Sequence, residues 1–436
     1  MQEENKKRAE VLVSAVLPGN VIVETVRDPA DGATTFLICR NGQIERKAIF
    51  EHEGKRFRPI RSTNNLLKHD AIRFASEATA HCDAVTLIGD IEQYLAAYVS
   101  LDTDARRLAA AYVLLTWVYD AFSELPYLRF RGDYGTGKTR ALLVVGSITY
   151  KPFFASGAST VSPIFHTLDT FRGTLIFDEA DFRFSDEKAE LVKILNNGNA
   201  NGFPVLRTRV TERREFDPQA FVVYGPKIVG MRHTYEDRAL ESRFLSVEML
   251  PGRKNDAPLN LPLSQEEDAL ELRNKLLGYR LRERSRITLD ASLADSLLEA
   301  RTNQILLPLL SVVPDGEVRR SIRAIAAARE TTIRADRGFS TEGGLVAILA
   351  NRAVDRLPLR ELASAFSEAH AADYDRPITS RRIGTILRRL GFHLYKSDGV
   401  YVVAPGQQAL LAGLAARYGV SPDDAGKATA DAGLGT

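Results

Sequence analysis

From Asn20 to Ile60 apolar and polar residues alternate, in NVIVETV, TTFLICR, ERKAIF and KRFRPI, around turn signals at Asp28-Pro-Ala-Asp-Gly32, Asn41-Gly42 and Glu53-Gly54. A period of two broken by tight turns predicts a small antiparallel meander. The spacing becomes helical over residues 66–124, most clearly in ARRLAAAYVLLTW at Ala105–Trp117. Apolar residues lie on nearly every side of that helix, so it must be buried. From Tyr127 to about Leu250 short apolar runs alternate with helical stretches, the pattern of a parallel sheet with crossover helices. The expected strands are Tyr127–Arg131, Arg172–Phe177, Phe203–Thr208, Ala220–Met231 and the run that begins at Phe244.

Residues 264–330 are helical again, with Pro308 expected to kink or divide the run Ala294–Val312. Leu359–Ala371 has helical spacing, and Thr379 is a natural N-cap for the basic helix Ser380–Leu390, which Gly391 ends. Two short strands follow around a turn at Ser397-Asp-Gly399. Helix, capped basic helix and hairpin in that order predict a winged helix. The expected division is a β-meander over 1–62, a helical lead over 63–124, an α/β core over 125–250, a helical lid over 251–350, a winged helix over 351–405 and a tail over 406–436.

At 436 residues, 44% hydrophobic and 26% charged, the chain has ordinary globular composition and excludes a fibre or a disordered protein. No apolar run approaches the ~20 residues needed to cross a bilayer, and the charged start MQEENKKRAE lacks a signal-peptide core. A cytoplasmic protein without membrane contact is expected. Cys39 and Cys82 have no partner pattern, and seven scattered histidines add no ligand cluster. The net charge of +2 hides two basic runs. Arg207–Arg214 carries four arginines and one glutamate, and Arg381–Arg389 four arginines and no acid.

The chemistry begins at Gly132-Asp-Tyr-Gly-Thr-Gly-Lys-Thr139, which matches the phosphate loop G-x-x-x-x-G-K-[ST] without substitution between a strand and the helical run TRALLVVGSITY. Backbone N–H groups around Gly132, Gly135, Thr136 and Gly137, and the helix start through Arg140, are the expected cradle for phosphate oxygens. Lys138 can reach the β- and γ-phosphates of ATP. The Thr139 hydroxyl and the Asp178 carboxylate can share a Mg2+ ion, and Glu179 can polarise the attacking water. Asp178 and Glu179 close the apolar strand of Gly173-Thr-Leu-Ile-Phe-Asp178-Glu179, 40 positions after Lys138. That interval leaves room for one helix, one strand and one further helix.

The phosphate loop, the closely spaced FDEAD strand, NNGNANGFPVLR, YGPKIVGMR, EDRALESRF, EARTNQILLPLL and the winged helix together resemble ring-forming AAA+ ATPases of the superfamily 3 and minichromosome-maintenance type. The likeness is to the primase-associated helicase domains of phages, plasmids and integrated elements, over roughly 110–405. It implies a hexameric ring that runs on ATP, with Arg243 or, second, Arg238 reaching a neighbour's nucleotide. Arg301 is similar to a lid arginine that senses nucleotide. The sensor strand departs from the family's usual asparagine and offers Lys227 or Arg232 instead. The resemblance also implies a pore hairpin that grips single-stranded DNA through Arg207, Arg209, Arg213 and Arg214, and duplex contact through Arg381, Arg382, Arg388 and Arg389. The activity implied is that of a DNA helicase or translocase. A nucleotide-switched assembly factor, such as a helicase loader, is the alternative.

Overall fold

The computed structural model describes residues 9–79, 83–178, 186–210, 216–235, 237–250, 257–314, 316–352, 354–370 and 377–420. Its contacts divide the chain into two compact units, 1–326 and 327–436.

The first unit is built on a five-stranded parallel sheet. In chain order its strands are β1 (Tyr127–Arg131), β2 (Phe153–Ser156), β3 (Leu175–Asp178), β4 (Lys227–Met231) and β5 (Phe244–Glu248). In space they run β5-β1-β4-β3-β2. Helix α1 (Lys138–Ser147) links β1 to β2, and α2 (Val161–Phe171) links β2 to β3, so the 40-residue interval holds the expected helix, strand and helix. The strand interiors are close to fully buried, as a parallel sheet covered on both faces requires.

Beneath the sheet lies the apolar helix Thr103–Thr116, every residue of which from Leu108 to Leu115 is fully buried. Asp102 caps it by accepting from the Ala105 N–H at 2.7 Å. Tyr112 on this helix accepts from the Lys227 N–H at 3.0 Å, which fixes the helix to the start of β4. The helix Ala300–Val312 contains Pro308 and continues through it.

The run Ala220–Met231, expected as one strand, is divided. Phe216–Phe221 pairs antiparallel with Val205–Val210 as a separate hairpin, and β4 begins only at Lys227. Between them Gly225 takes a φ of 153° ahead of Pro226, a step that regular strand pairing does not tolerate.

The alternating segment at the N-terminus is also divided. Ser14–Leu17, Val21–Arg27, Thr34–Arg40 and Gln43–Lys47 form one antiparallel sheet, and Glu10–Leu12, Lys55–Pro59 and Phe50–His52 form another. Phe50 is 1% exposed and packs with Val21, Val23, Phe36 and Ile38. Burial of its ring pulls the chain out of the first sheet after Lys47. The expected turns at Asn41-Gly42 and Glu53-Gly54 have positive φ at both residues, as two-residue hairpin turns do.

The second unit has helices Thr341–Ala350, Leu359–Ala369 and Ser380–Arg389, a hairpin of Leu394–Ser397 with Val400–Val403, and a final helix Gln408–Tyr418. Thr379 caps the basic helix, its hydroxyl accepting from the Arg382 N–H at 3.3 Å. Ile383, Gly384, Ile386 and Leu387 are buried, and the arginines on either side of them are exposed. Among the described residues no helix is long and apolar enough to cross a membrane.

Candidate functional site

The loop after β1 turns at the carboxyl end of the sheet, where β1 lies between β4 and β5 and ligands of open α/β sheets bind. Gly135 and Gly137 take φ of 72° and 88°, conformations that leave the backbone free to curl over an anion. Gly137 precedes α1 and offers no side-chain cap. The first N–H groups of this ten-residue helix therefore need an outside acceptor, and a phosphate supplies one.

Lys138 and Thr139 begin that helix. Lys138 Nζ donates to the Gly132 and Asp133 carbonyls at 2.8 and 2.6 Å, so the ammonium is folded back over the loop. Thr139 Oγ1 donates to Asp178 Oδ2 at 2.7 Å. Asp178 ends β3, which is not adjacent to β1, because β4 lies between them. The carboxylate reaches across because β4 has a glycine there. A Cβ on Gly230 would stand 2.9 Å from Asp178 Oδ1 and 2.7 Å from Leu142 Cδ1. Gly230 is thus a site residue that the motif reading missed, although a lone glycine inside an apolar strand is a recognised sign of close approach. A hydroxyl and a carboxylate oxygen side by side are oxygen donors of the kind Mg2+ takes together with phosphate oxygens.

The structure separates the two sensor candidates. Lys227 begins β4, at the end of the sheet away from the loop. Its Nζ donates to the carbonyls of Val223, Gly225 and Gly198 at 2.9, 3.0 and 3.1 Å and lies over the Tyr127 ring. It is a buried strut and does not face nucleotide. Arg232 directly follows β4 at the loop end, where the Gly132 N–H donates to the Met231 carbonyl at 3.3 Å.

Burial pushes the Lys227 amine down to about 7 from its ordinary 10.5. Between those values the unfolded chain holds more protons than the folded one, so this group makes stability rise with pH from about 7 upward. Lys227→Met is expected to flatten the rise in urea-unfolding midpoint between pH 7 and pH 9. Lys151, which burial brings down to about 8, preserves part of the slope. A variant slope equal to that of the wild type would contradict the assignment.

Arg140 does not face the loop. Its guanidinium donates to the Pro258 and Leu259 carbonyls and ties the start of α1 to the segment after the core. Glu179 lies outside the described residues.

Arg243 stands just before β5, whose first residue pairs with Tyr127 at the start of β1. It donates to Asn196 Oδ1, and Asn196 Nδ2 donates to Asp237 Oδ2 at 3.1 Å. Arg238 is exposed on the short helix Arg238–Glu241. Glu241 on that helix is held by Arg129 of β1 through two bonds of 2.7 and 2.5 Å. Arg129 is 2% exposed, an ion-pair partner the sequence reading did not single out. Arg301 donates to Glu124 at 3.1 Å and Gln304 at 2.6 Å, and its charge is felt at Arg243. Arg301 and Arg243 thus share the end of the sheet opposite the phosphate loop.

In the hairpin Val205–Val210 with Phe216–Phe221, Phe221 anchors the base by packing on Phe165 and His166 with ring centroids 4.8 and 4.5 Å away. Arg207 also sits at the base, paired with Glu190 and stacked over Phe165 at 5.3 Å. Arg209 is two positions nearer the tip, opposite Asp217. Arg213 and Arg214 lie outside the described residues. Phe203, Leu206 and Phe216 are exposed around this hairpin. In the second unit Arg381 and Arg382 are exposed, Arg388 stacks on Tyr401 of the terminal hairpin at 5.4 Å, and Arg389 pairs with Glu342.

The chain matches no protein-family model and no curated protein. Among solved structures it is similar to the apo C-terminal region of NrS-1, with 13% identity, a TM-score of 0.36, and coverage of 88% of this chain and 96% of that one. It is also similar to the active helicase Cch of SCCmec type IV, with 11% identity, a TM-score of 0.37, and coverage of 92% and 95%. A third similarity is to the Aeropyrum pernix ORC1 protein in complex with DNA, with 13% identity, a TM-score of 0.22, and coverage of 77% and 96%. Superpositions this loose establish neither a shared fold nor a shared activity.

Proposed function

We propose that this chain is an ATP-dependent DNA helicase or translocase of the superfamily 3 and minichromosome-maintenance type. It works as a hexameric ring in the replication or mobilisation of a phage, plasmid or integrated element. The observation that carries the reading is the Thr139–Asp178 pair, 2.7 Å apart at the start of an uncapped helix behind a glycine loop. This is the donor set a magnesium nucleotide requires. The ion, when bound, neutralises charge on the transferring phosphoryl group. Lys138 exchanges its loop carbonyls for β- and γ-phosphate oxygens, and Glu179, next in the chain after Asp178, orients the attacking water.

Within one chain Arg243 is about five strand residues, or roughly 15 Å, from the loop. In this reading it acts on a neighbour's nucleotide, with exposed Arg238 beside it, and a ring closes when each subunit offers this edge to the next. The hairpin faces single-stranded DNA in the pore through Arg209, Arg213 and Arg214, with Arg207 bracing its base. The helix Ser380–Arg389 and its hairpin form the recognition helix and wing of a winged helix that meets duplex DNA through Arg381, Arg382, Arg388 and Arg389.

Steady-state ATP turnover with and without single-stranded DNA, at two salt concentrations, tests the reading. We expect stimulation by DNA that fades as salt rises, because the contacts are to phosphates, and we expect no turnover from Lys138→Ala. Turnover indifferent to DNA would favour a nucleotide-switched assembly factor.

A further inference from the structure

Two cations reach the phosphate loop from different parts of the chain, and the loop itself holds both. Lys138 is folded onto the Gly132 and Asp133 carbonyls. Arg232 leaves the end of β4 and lays its guanidinium over the ring of Tyr134, with its central carbon 3.8 Å from the ring centroid. Its Nη1 also donates to the Tyr134 hydroxyl. Tyr134 is the third residue of the loop and 74% exposed, so no core contact accounts for an aromatic side chain there. Its own N–H is turned onto the Asp133 carboxylate at 2.7 Å.

A guanidinium on an exposed ring is held by about 0.5–1 kcal/mol. The same guanidinium on a phosphate makes charge-assisted, bidentate bonds that are roughly twice as strong as neutral ones. At this rim of the loop the Tyr134 ring and a terminal phosphate are therefore alternative partners for the Arg232 guanidinium, and the stronger is present only when a terminal phosphate is.

We propose that Tyr134 competes with the terminal phosphate for Arg232, so that this stack sets how strongly the site prefers a nucleoside triphosphate over a diphosphate. In the apo loop the stack keeps Arg232 off the terminal-phosphate position. A triphosphate draws the guanidinium away, and a diphosphate leaves it on the ring. The proposal rests on the reading of the loop as a nucleotide site.

Equilibrium binding of ADP and of a non-hydrolysable ATP analogue to the full chain tests it, in wild type, Tyr134→Ala, Arg232→Ala and the double variant. Releasing Arg232 from the ring is expected to tighten the ATP analogue about two- to five-fold in Tyr134→Ala, the stacking energy converted to affinity, with ADP within two-fold of wild type. Arg232→Ala is expected to weaken the analogue about ten-fold and leave ADP unchanged. The double variant should match Arg232→Ala alone, because Tyr134 acts only through that arginine. Equal weakening of both nucleotides by Tyr134→Ala, or additive effects in the double variant, would overturn the proposal and leave the nucleotide site standing. A wild-type chain that binds neither nucleotide would overturn the reading of the site itself.

Discussion

Asp178→Asn is expected to lower ATP turnover by about 10³-fold, the scale on which loss of a preorganised charge acts at a phosphoryl or acyl transition state. The fold should be unaffected. Asp178 is the last residue of β3 and its backbone register is set by pairing with Ser156 of β2. Asparagine has the same shape and can still accept from Thr139 Oγ1, so what the substitution removes is the negative charge. Magnesium dependence separates this from general damage. The half-saturating Mg2+ concentration should rise at least ten-fold, while nucleotide affinity measured without the ion should stay within about two-fold. The carboxylate fills the space that Gly230 leaves open, since a Cβ there would stand 2.9 Å from Asp178 Oδ1. A variant that keeps more than a tenth of wild-type turnover, or an unchanged magnesium requirement, would remove Asp178 from the metal site.

That pair was legible because each half has a local signature: a glycine loop between strand and helix, and a carboxylate closing an apolar run. What the sequence could not convey is the strand lying between them, since spatial order is a property of the whole sheet. Placing β4 between β1 and β3 is what makes Gly230 necessary, and the bounds of β4 put Arg232 at the loop end of the sheet and Lys227 at the other end. Without those bounds the sequence does not choose between the two cations. The split of Ala220–Met231 was foreshadowed by Gly225-Pro226, but a run with high strand propensity on both sides of the break reads as continuous. Capping and turn positions such as Thr379 and Asn41-Gly42 were legible because they depend on a few neighbouring residues. The Glu190, Asn196 and Glu124 partners of Arg207, Arg243 and Arg301 were not, because these acceptors are 17 to 177 positions away.

The N-terminal sheet illustrates the same limit more strongly, and it carries the second large effect. Alternation set it apart as a small meander over 1–62, yet Glu24, at its centre, is 1% exposed and reaches the body of the unit. Its carboxylate pairs with Lys151 at 2.9 Å and Arg280 at 2.7 Å, and accepts from the Tyr150 hydroxyl at 2.8 Å. Arg280 is bound in turn to Asp120, where burial would raise the carboxyl but the Arg280 and Arg284 guanidinium groups bring it down to about 2. One carboxylate thus joins the sheet to the residues after α1 and to the helix Ser264–Glu283. Glu24→Ala leaves the Lys151 ammonium buried without a carboxylate and takes one of two from Arg280. Removing one partner of a buried pair costs about 3–5 kcal/mol, and that is the expected loss in urea unfolding. Glu24→Gln keeps acceptor oxygen and volume and should lose less. Hydrogen exchange should locate the damage, with protection falling first in Val21–Arg27 and around Tyr150 while the second unit is unchanged. A loss below about 0.5 kcal/mol, the range of ordinary surface changes, would mean that the sheet is held by its apolar face alone and that Glu24 is no bridge to the body of the unit.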